Sequence, residues 1–214
     1  MYIPPSIHAH SPTSCTDVPH PRQTTNAVFP TAFYNGTDGV ARTFVNRGLL
    51  DAANYTDALA RATRGPLISG FAANVGVFSS SPSQGNIEVG PGSTSSLVST
   101  GSNTPAIYHL NAYLRLAAPQ WYGPSSRARL ARLKQLLPAQ LPFSAAAIPA
   151  ILGDTAGDDG SGAYPIFRNG VAPDDVETMA TVFFDLVGGT AWLYTGNAKN
   201  NIRSSLALPF STQK

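Results

Sequence analysis

Charge is what this chain has least of. Asp, Glu, Lys and Arg make up 12% of its 214 residues, against roughly 25% in an ordinary soluble domain. Its polar surface must be Ser, Thr, Asn, Gln and Gly, which lack the repulsion that keeps a free monomer apart from its neighbours. That deficit points to a chain much of whose surface is covered by partners, or to one that works outside the cell. The net charge of +2 is too small to draw nucleic acid or an anionic membrane to the whole surface. Cysteine is nearly absent: Cys15 alone excludes an intramolecular disulfide, and with it a small stapled secreted fold. The opening MYIPPSIH has neither a basic stretch nor an apolar one, so it does not read as a signal peptide. No apolar run nears the ~20 residues of a membrane span, so no membrane partner is expected.

What is present suffices for a core, since hydrophobic residues make up 43% of the chain, too many for wholesale disorder. Residues 1–25 read as an extended arm, because Pro4, Pro5, Pro12, Pro19 and Pro21 interrupt any regular element. Residues 26–214 read as a single α+β domain, helix-rich, with long irregular loops. A short strand is expected near 40–45. Helices are expected at 49–64, 104–118, 127–137 and 145–152. Thr104-Pro105 suits the start of the second of these, and Ser125 or Ser126 can cap the third. A buried strand fits 67–78. The Ser/Gly-rich stretch 79–103 reads as a loop or hairpin holding two short β-like islets. The clearest helix is 173–189. There Val176, Met179, Phe183, Phe184 and Val187 share one face at about 100° per residue, and Asp174 with Glu177 has capping-box spacing. These five residues are the expected core helix.

Four groups of residues carry chemistry worth weighing. His8, His10, Cys15 and His20 crowd the arm together with Asp17, and imidazole nitrogen with thiolate sulfur is a zinc donor set. The spacing matches no zinc pattern, however, and no metal or other cofactor is expected. Asp154, Asp158 and Asp159 lie among glycines, but without the alternating acids and closing Glu of an EF-hand they read as a solvated turn. Arg127, Arg129, Arg132 and Lys134 lie on one helix. They are candidates for phosphate contact with RNA, set against the plainer reading of a wet helix face. Nucleophilic chemistry finds little: there is no Gly-x-Ser-x-Gly elbow, His109 reads as hydrogen-bonded rather than as a general base, and Glu88 has no recognisable acid–base partner.

Helical blocks at 46–65, 104–137 and 173–194, separated by charge-poor loops, give the chain a texture that resembles the coat proteins of double-stranded RNA viruses. The chain is shorter than such proteins. The resemblance implies a structural subunit of a viral shell rather than an enzyme. It would act by subunit packing in a virion, with copies of itself or other shell subunits as partners and genomic RNA as a further contact. Two alternatives stand beside it: a metal-binding protein or enzyme using the His8, His10, Cys15 and His20 cluster, and a decoration or adaptor protein on a larger particle.

Overall fold

A computed structural model describes residues 21–77, 82–101, 106–137, 144, 147–157, 163–188, 190–200 and 208–209. Among these, strands β1 (Arg22–Ala27), β2 (Phe71–Gly76), β3 (Gln84–Val89) and β4 (Ser95–Ser99) form an antiparallel sheet in that order. Helices α1 (Arg42–Leu49) and α2 (Tyr55–Ala62) fall between β1 and β2. Helices α3 (Pro124–Leu136) and α4 (Ala147–Leu152) follow β4. A second antiparallel sheet joins β5 (Thr181–Asp185), β6 (Thr190–Tyr194) and β7 (Leu208–Pro209). The fold is α+β with long irregular connections.

Period-2 alternation divides the first sheet into two chemically different faces. The register pairs Phe71 with Val89 and Ala73 with Ile87, while on the other face Ala72 pairs with Glu88 and Asn74 with Asn86. The apolar face, Phe71, Ala73, Val75, Ile87 and Val89, packs on Leu49, Ala52, Ala58 and Ala62 from around α1 and α2. Phe71, Ala52 and Ala58 have no exposed surface, and each large side chain so buried contributes about 1.5–3 kcal/mol. The opposite face carries a polar row. Asn74 Nδ2 donates to Thr24 Oγ1 at 2.9 Å and Asn86 Nδ2 to Asn74 Oδ1 at 2.8 Å, so neighbouring strands share a chain of side-chain hydrogen bonds.

Several expected elements take another form. The expected helix 49–64 is interrupted, with α1 ending at Leu49 and α2 starting after Asn54, whose side chain caps it by accepting from the Asp57 N–H at 2.9 Å. The strand expected at 40–45 is mostly α1, although Val40 makes a parallel bridge with Leu67. The described part of the expected helix 104–118 is an irregular segment whose backbone N–H groups are spent on side chains, as detailed below. Helices do form at 124–136 and 147–152, and the 79–103 stretch contains the β3–β4 hairpin. Residues 1–20 of the expected arm lie outside the described residues, and residues 22–25 belong to β1.

The core helix expected at 173–189 is absent. Val182, Phe183 and Phe184 lie in β5, paired with Leu193, Trp192 and Ala191 of β6. The turn between them is held by Asp185, whose Oδ1 accepts the N–H groups of Val187 at 3.1 Å and Gly188 at 2.8 Å. Met179 is 88% exposed, and Val176 and Val187 are exposed as well. Asp174 does not cap a helix but pairs with the Arg168 guanidinium. The β-branched and aromatic run found a cross-strand partner of the same kind, Thr190–Tyr194, and strand pairing prevailed over the helical spacing. This hairpin reaches the first sheet at Gly76, where an added Cβ would stand 2.7 Å from the Leu186 side chain.

Candidate active site

The polar face of the first sheet is covered by the segment 106–120, and the two meet around one carboxylate. Glu88 lies one residue from the end of β3 with its side chain fully buried. Its Oε1 accepts from His109 Nε2 at 2.9 Å and from the Leu114 N–H at 2.7 Å. Its Oε2 accepts from the Arg115 N–H at 2.9 Å and the Leu116 N–H at 2.6 Å. Arg115 Nη2 stands 3.3 Å from Oε1 and also donates to Asn86 Oδ1, which ties the carboxylate to the polar row. Burial is the largest influence on this group and pushes its pKa up. His109 and the N–H groups of Leu114, Leu116 and Arg115 together outweigh it, and the net value falls to about 2. With the carboxylate ionised, the hydrogen between the pair belongs on His109 Nε2. His109 Nδ1 is buried and has no hydrogen-bond partner among the described residues.

Tyr113 and Gln120 brace the same segment. Tyr113 donates its N–H to Gln120 Oε1 at 2.7 Å, and Gln120 Nε2 donates back to the Tyr113 carbonyl at 3.0 Å. The Tyr113 hydroxyl donates to the Val89 carbonyl at 3.1 Å. Burial, followed by the Glu88 charge, pushes that phenol up to about 12. Its ring packs with Val28 and Ala72 beneath.

Asn111 lies between the two ends of this clasp. Its Nδ2 donates to the Ala27 carbonyl at the end of β1, 3.0 Å away. Its Oδ1 accepts from Arg129 Nη2 on α3 at 3.1 Å. The two partners fix which end of the amide is which. One Nδ2 hydrogen is used on Ala27, and the second has no partner among the described residues. Arg129 is held further by Ser125 Oγ at 3.3 Å and Ser126 Oγ at 3.5 Å. It makes no ion pair with any carboxylate among the described residues. Burial lowers its pKa first, and nearby Arg168 adds to this, against the opposing charge of Asp174. Arg168 and Asp174 neutralise each other in a bidentate pair.

The basic helix thus has a different character from the one its sequence suggested. Arg129 turns into the protein toward Asn111, and Arg132 makes two 2.9 Å bonds to Asp154. Arg127 is exposed, with its guanidinium 5.9 Å from the Tyr122 ring centre. Lys134 is also exposed. No row of four free cations runs along α3. Asp154 is an ion-pair partner rather than part of a solvated turn, and Asp158 and Asp159 lie outside the described residues. His8, His10, Cys15 and His20 also lie outside them. Among the described residues no group of three His, Cys, Asp or Glu side chains converges to hold a metal ion, and no helix is long and apolar enough to cross a membrane.

Sequence reasoning missed Glu88 as a partner of His109, and it missed Asn111 altogether. A signal for Glu88 was present: Asn86 and Glu88 alternate with apolar residues in a strand whose neighbours are buried, so a polar cover had to exist. Asn111 had no such signal, because its partners lie in β1 and α3.

No curated protein sequence matches the chain. A family model does, and it overturns the coat-protein resemblance: residues 28–200 match acyl-coenzyme A:6-aminopenicillanic acid acyl-transferase. With that match fall the expectation of a shell subunit, the exclusion of enzymatic activity and the placement in a virion. The alternative that allowed for an enzyme was nearer, although the cluster it invoked is not the one assembled here. The match spans all of the polar clasp and α3, and the chain belongs to this acyltransferase family.

Proposed function

We propose that this chain is an acyltransferase that moves an acyl group from a thioester, such as an acyl-coenzyme A, to the amino group of an acceptor resembling 6-aminopenicillanic acid. In that reaction the thioester C–S bond breaks and an amide C–N bond forms. The amine proton ends on the departing thiol. The barrier lies at the tetrahedral carbon, where the carbonyl oxygen gathers negative charge, and donors aimed at that oxygen supply a large share of the rate enhancement.

Asn111 and Arg129 suit this task. The single observation that carries the reading is that Arg129, a half-buried cation without a carboxylate partner among the described residues, donates to the Asn111 amide, whose second Nδ2 hydrogen has no partner among those residues either. A buried charge left unpaired is costly, and an anion formed during the reaction offsets that cost when it is needed. The guanidinium also polarises the Asn111 amide by donating to its Oδ1, which strengthens Nδ2 as a donor. The described residues supply this charge-stabilising half of the site, and none of them is assigned as the nucleophile.

The test uses the full chain with an acyl-thioester donor and 6-aminopenicillanic acid as acceptor, following amide product by mass. Asn111→Leu keeps the volume and removes the donor. It is expected to lower kcat by roughly 10²–10³, with the circular dichroism spectrum unchanged. Full activity in Asn111→Leu would sink the assignment.

A further inference from the structure

Between His109 and Leu116 the chain makes few hydrogen bonds of its own. Its N–H groups at 114, 115 and 116 all point to the one carboxylate, and the His109 side chain reaches the same group from the other end. Asn111 sits inside the loop so closed. The carboxylate itself is carried by a strand hydrogen-bonded on both sides, with Glu88 opposite Ala72 of β2 and Ser96 of β4. It therefore stands on one of the best-anchored points of the sheet. A loop that lacks regular structure takes its shape from whatever satisfies its backbone donors, and here that is Glu88. An apolar residue of similar size would pack a sheet face at least as favourably as a buried charge does. The retained carboxylate thus points to geometry rather than to stability alone.

We propose that Glu88 is a positioning residue for acyl transfer: by clasping the loop at His109 and at 114–116 it fixes the amide of Asn111, and so its second Nδ2 hydrogen, at the reacting carbonyl. The proposal rests on the acyl-transfer reading given above. Glu88 touches no substrate. It acts through Asn111, whose other two constraints, Ala27 and Arg129, hold the amide plane but not the loop behind it.

Action through Asn111 has a consequence that a merely structural role lacks. Glu88→Gln keeps the shape but replaces one acceptor oxygen by an amine that faces backbone donors. It is expected to lower kcat by roughly 10²-fold, the cost of a misplacement of about 1 Å, with KM for both substrates nearly unchanged. In an Asn111→Leu background the same substitution is expected to cost nothing further, because the group it positions is gone. Glu88→Asp, which keeps the charge, is expected to recover part of the rate. Amide hydrogen exchange of the full chain is to rise in 109–116 and stay unchanged in α1, α2 and β2.

The outcomes separate cleanly. If the unsubstituted chain forms no amide product, the acyl-transfer reading fails; if it does and Asn111→Leu is equally active, the assignment of Asn111 fails and the positioning role with it. If Asn111→Leu is slow but Glu88→Gln is wild-type in kcat, or the two losses multiply, the positioning role is refuted and the acyl-transfer reading stands. Unchanged exchange in 109–116 refutes it without any activity measurement. Where Glu88→Gln does not fold, His109→Gln carries the same cycle, since it loosens one end of the clasp and leaves the carboxylate its three backbone donors.

Discussion

Replacing Glu88 by Gln should cost stability in a way that depends on acid. The carboxyl ordinarily titrates at 4.5 and in the folded protein at about 2. Each pH unit of difference is worth about 1.36 kcal/mol, so the ionised clasp contributes roughly 3 kcal/mol at neutral pH. The sign follows from the depressed folded value. The contribution is fully present above the unfolded value and is lost as pH falls from about 4.5 through about 2. Glu88→Gln has no such proton to bind. The assay is urea unfolding of both proteins, followed by near-ultraviolet circular dichroism at pH 7, 5.5, 4, 3 and 2. The stability gap should hold steady between pH 7 and 5.5, then narrow by about 3 kcal/mol by pH 2. Asp57, Asp154 and Asp174 are also held below the usual carboxylate range by their partners, so their contributions too are lost in acid. They are common to both proteins, so their effect cancels in the difference. A gap of constant size down to pH 2 would show that folding does not lower the pKa of this carboxyl. No gap at pH 7 would show that the clasp contributes nothing to the fold.

Four further substitutions probe packing. Phe71→Ala should destabilise by roughly 3–5 kcal/mol, because Phe71 has no exposed surface and sits among Leu49, Ala58 and Val89. Phe183→Ala in half-buried β5 should cost clearly less, and equal shifts in the urea midpoint would refute this ranking. Gly70→Ala should destabilise by at least the roughly 1–3 kcal/mol of core overpacking. Its new Cβ would lie 2.7 Å from the Val89 carbonyl oxygen and would overlap the Tyr113 hydroxyl oxygen. Adding Tyr113→Phe should relieve part of that loss, measured as non-additivity of the two thermal shifts.

Much of the local structure was legible because local chemistry decided it. The helix expected over 127–137 forms as 124–136, although it begins with Pro124 in its first turn rather than at a Ser125 or Ser126 cap. The start of α2 was not legible, since Asn54, which caps it, lies inside the stretch expected as one helix over 49–64. The Ser/Gly stretch 79–103 was legible as a hairpin because its two short β-like runs are separated by Gly90, Pro91 and Gly92. The 173–189 stretch was not legible. Val176, Met179, Phe183 and Val187 satisfy a helical period, yet 181–185 also satisfies a strand. The choice depended on Thr190–Tyr194 being positioned to pair with it. Likewise 106–118 carries apolar residues at helical spacing, but three of its N–H groups found a buried carboxylate and never closed a helical ladder.

The candidate site was less legible than the fold. Glu88 and His109 are 21 residues apart, and Asn111 and Ala27 are 84 apart, so no window along the sequence contains either pair. Arg129 looked like one of four cations on a wet face. Only the packing of α3 against the loop turned it inward while leaving Arg127 and Lys134 exposed.

By itself the sequence determined composition-level facts: an α+β chain with a real core, little charge, one cysteine and the helices near 127–137 and 145–152. These follow from nearest-neighbour sterics and burial, which act within a few residues. The tertiary structure decided which apolar runs became strands, which charges were buried, and that one carboxylate on β3 would gather four donors from a distant loop. A charge inside a protein is tolerated only where partners converge on it, and the folded chain is what brings those partners together.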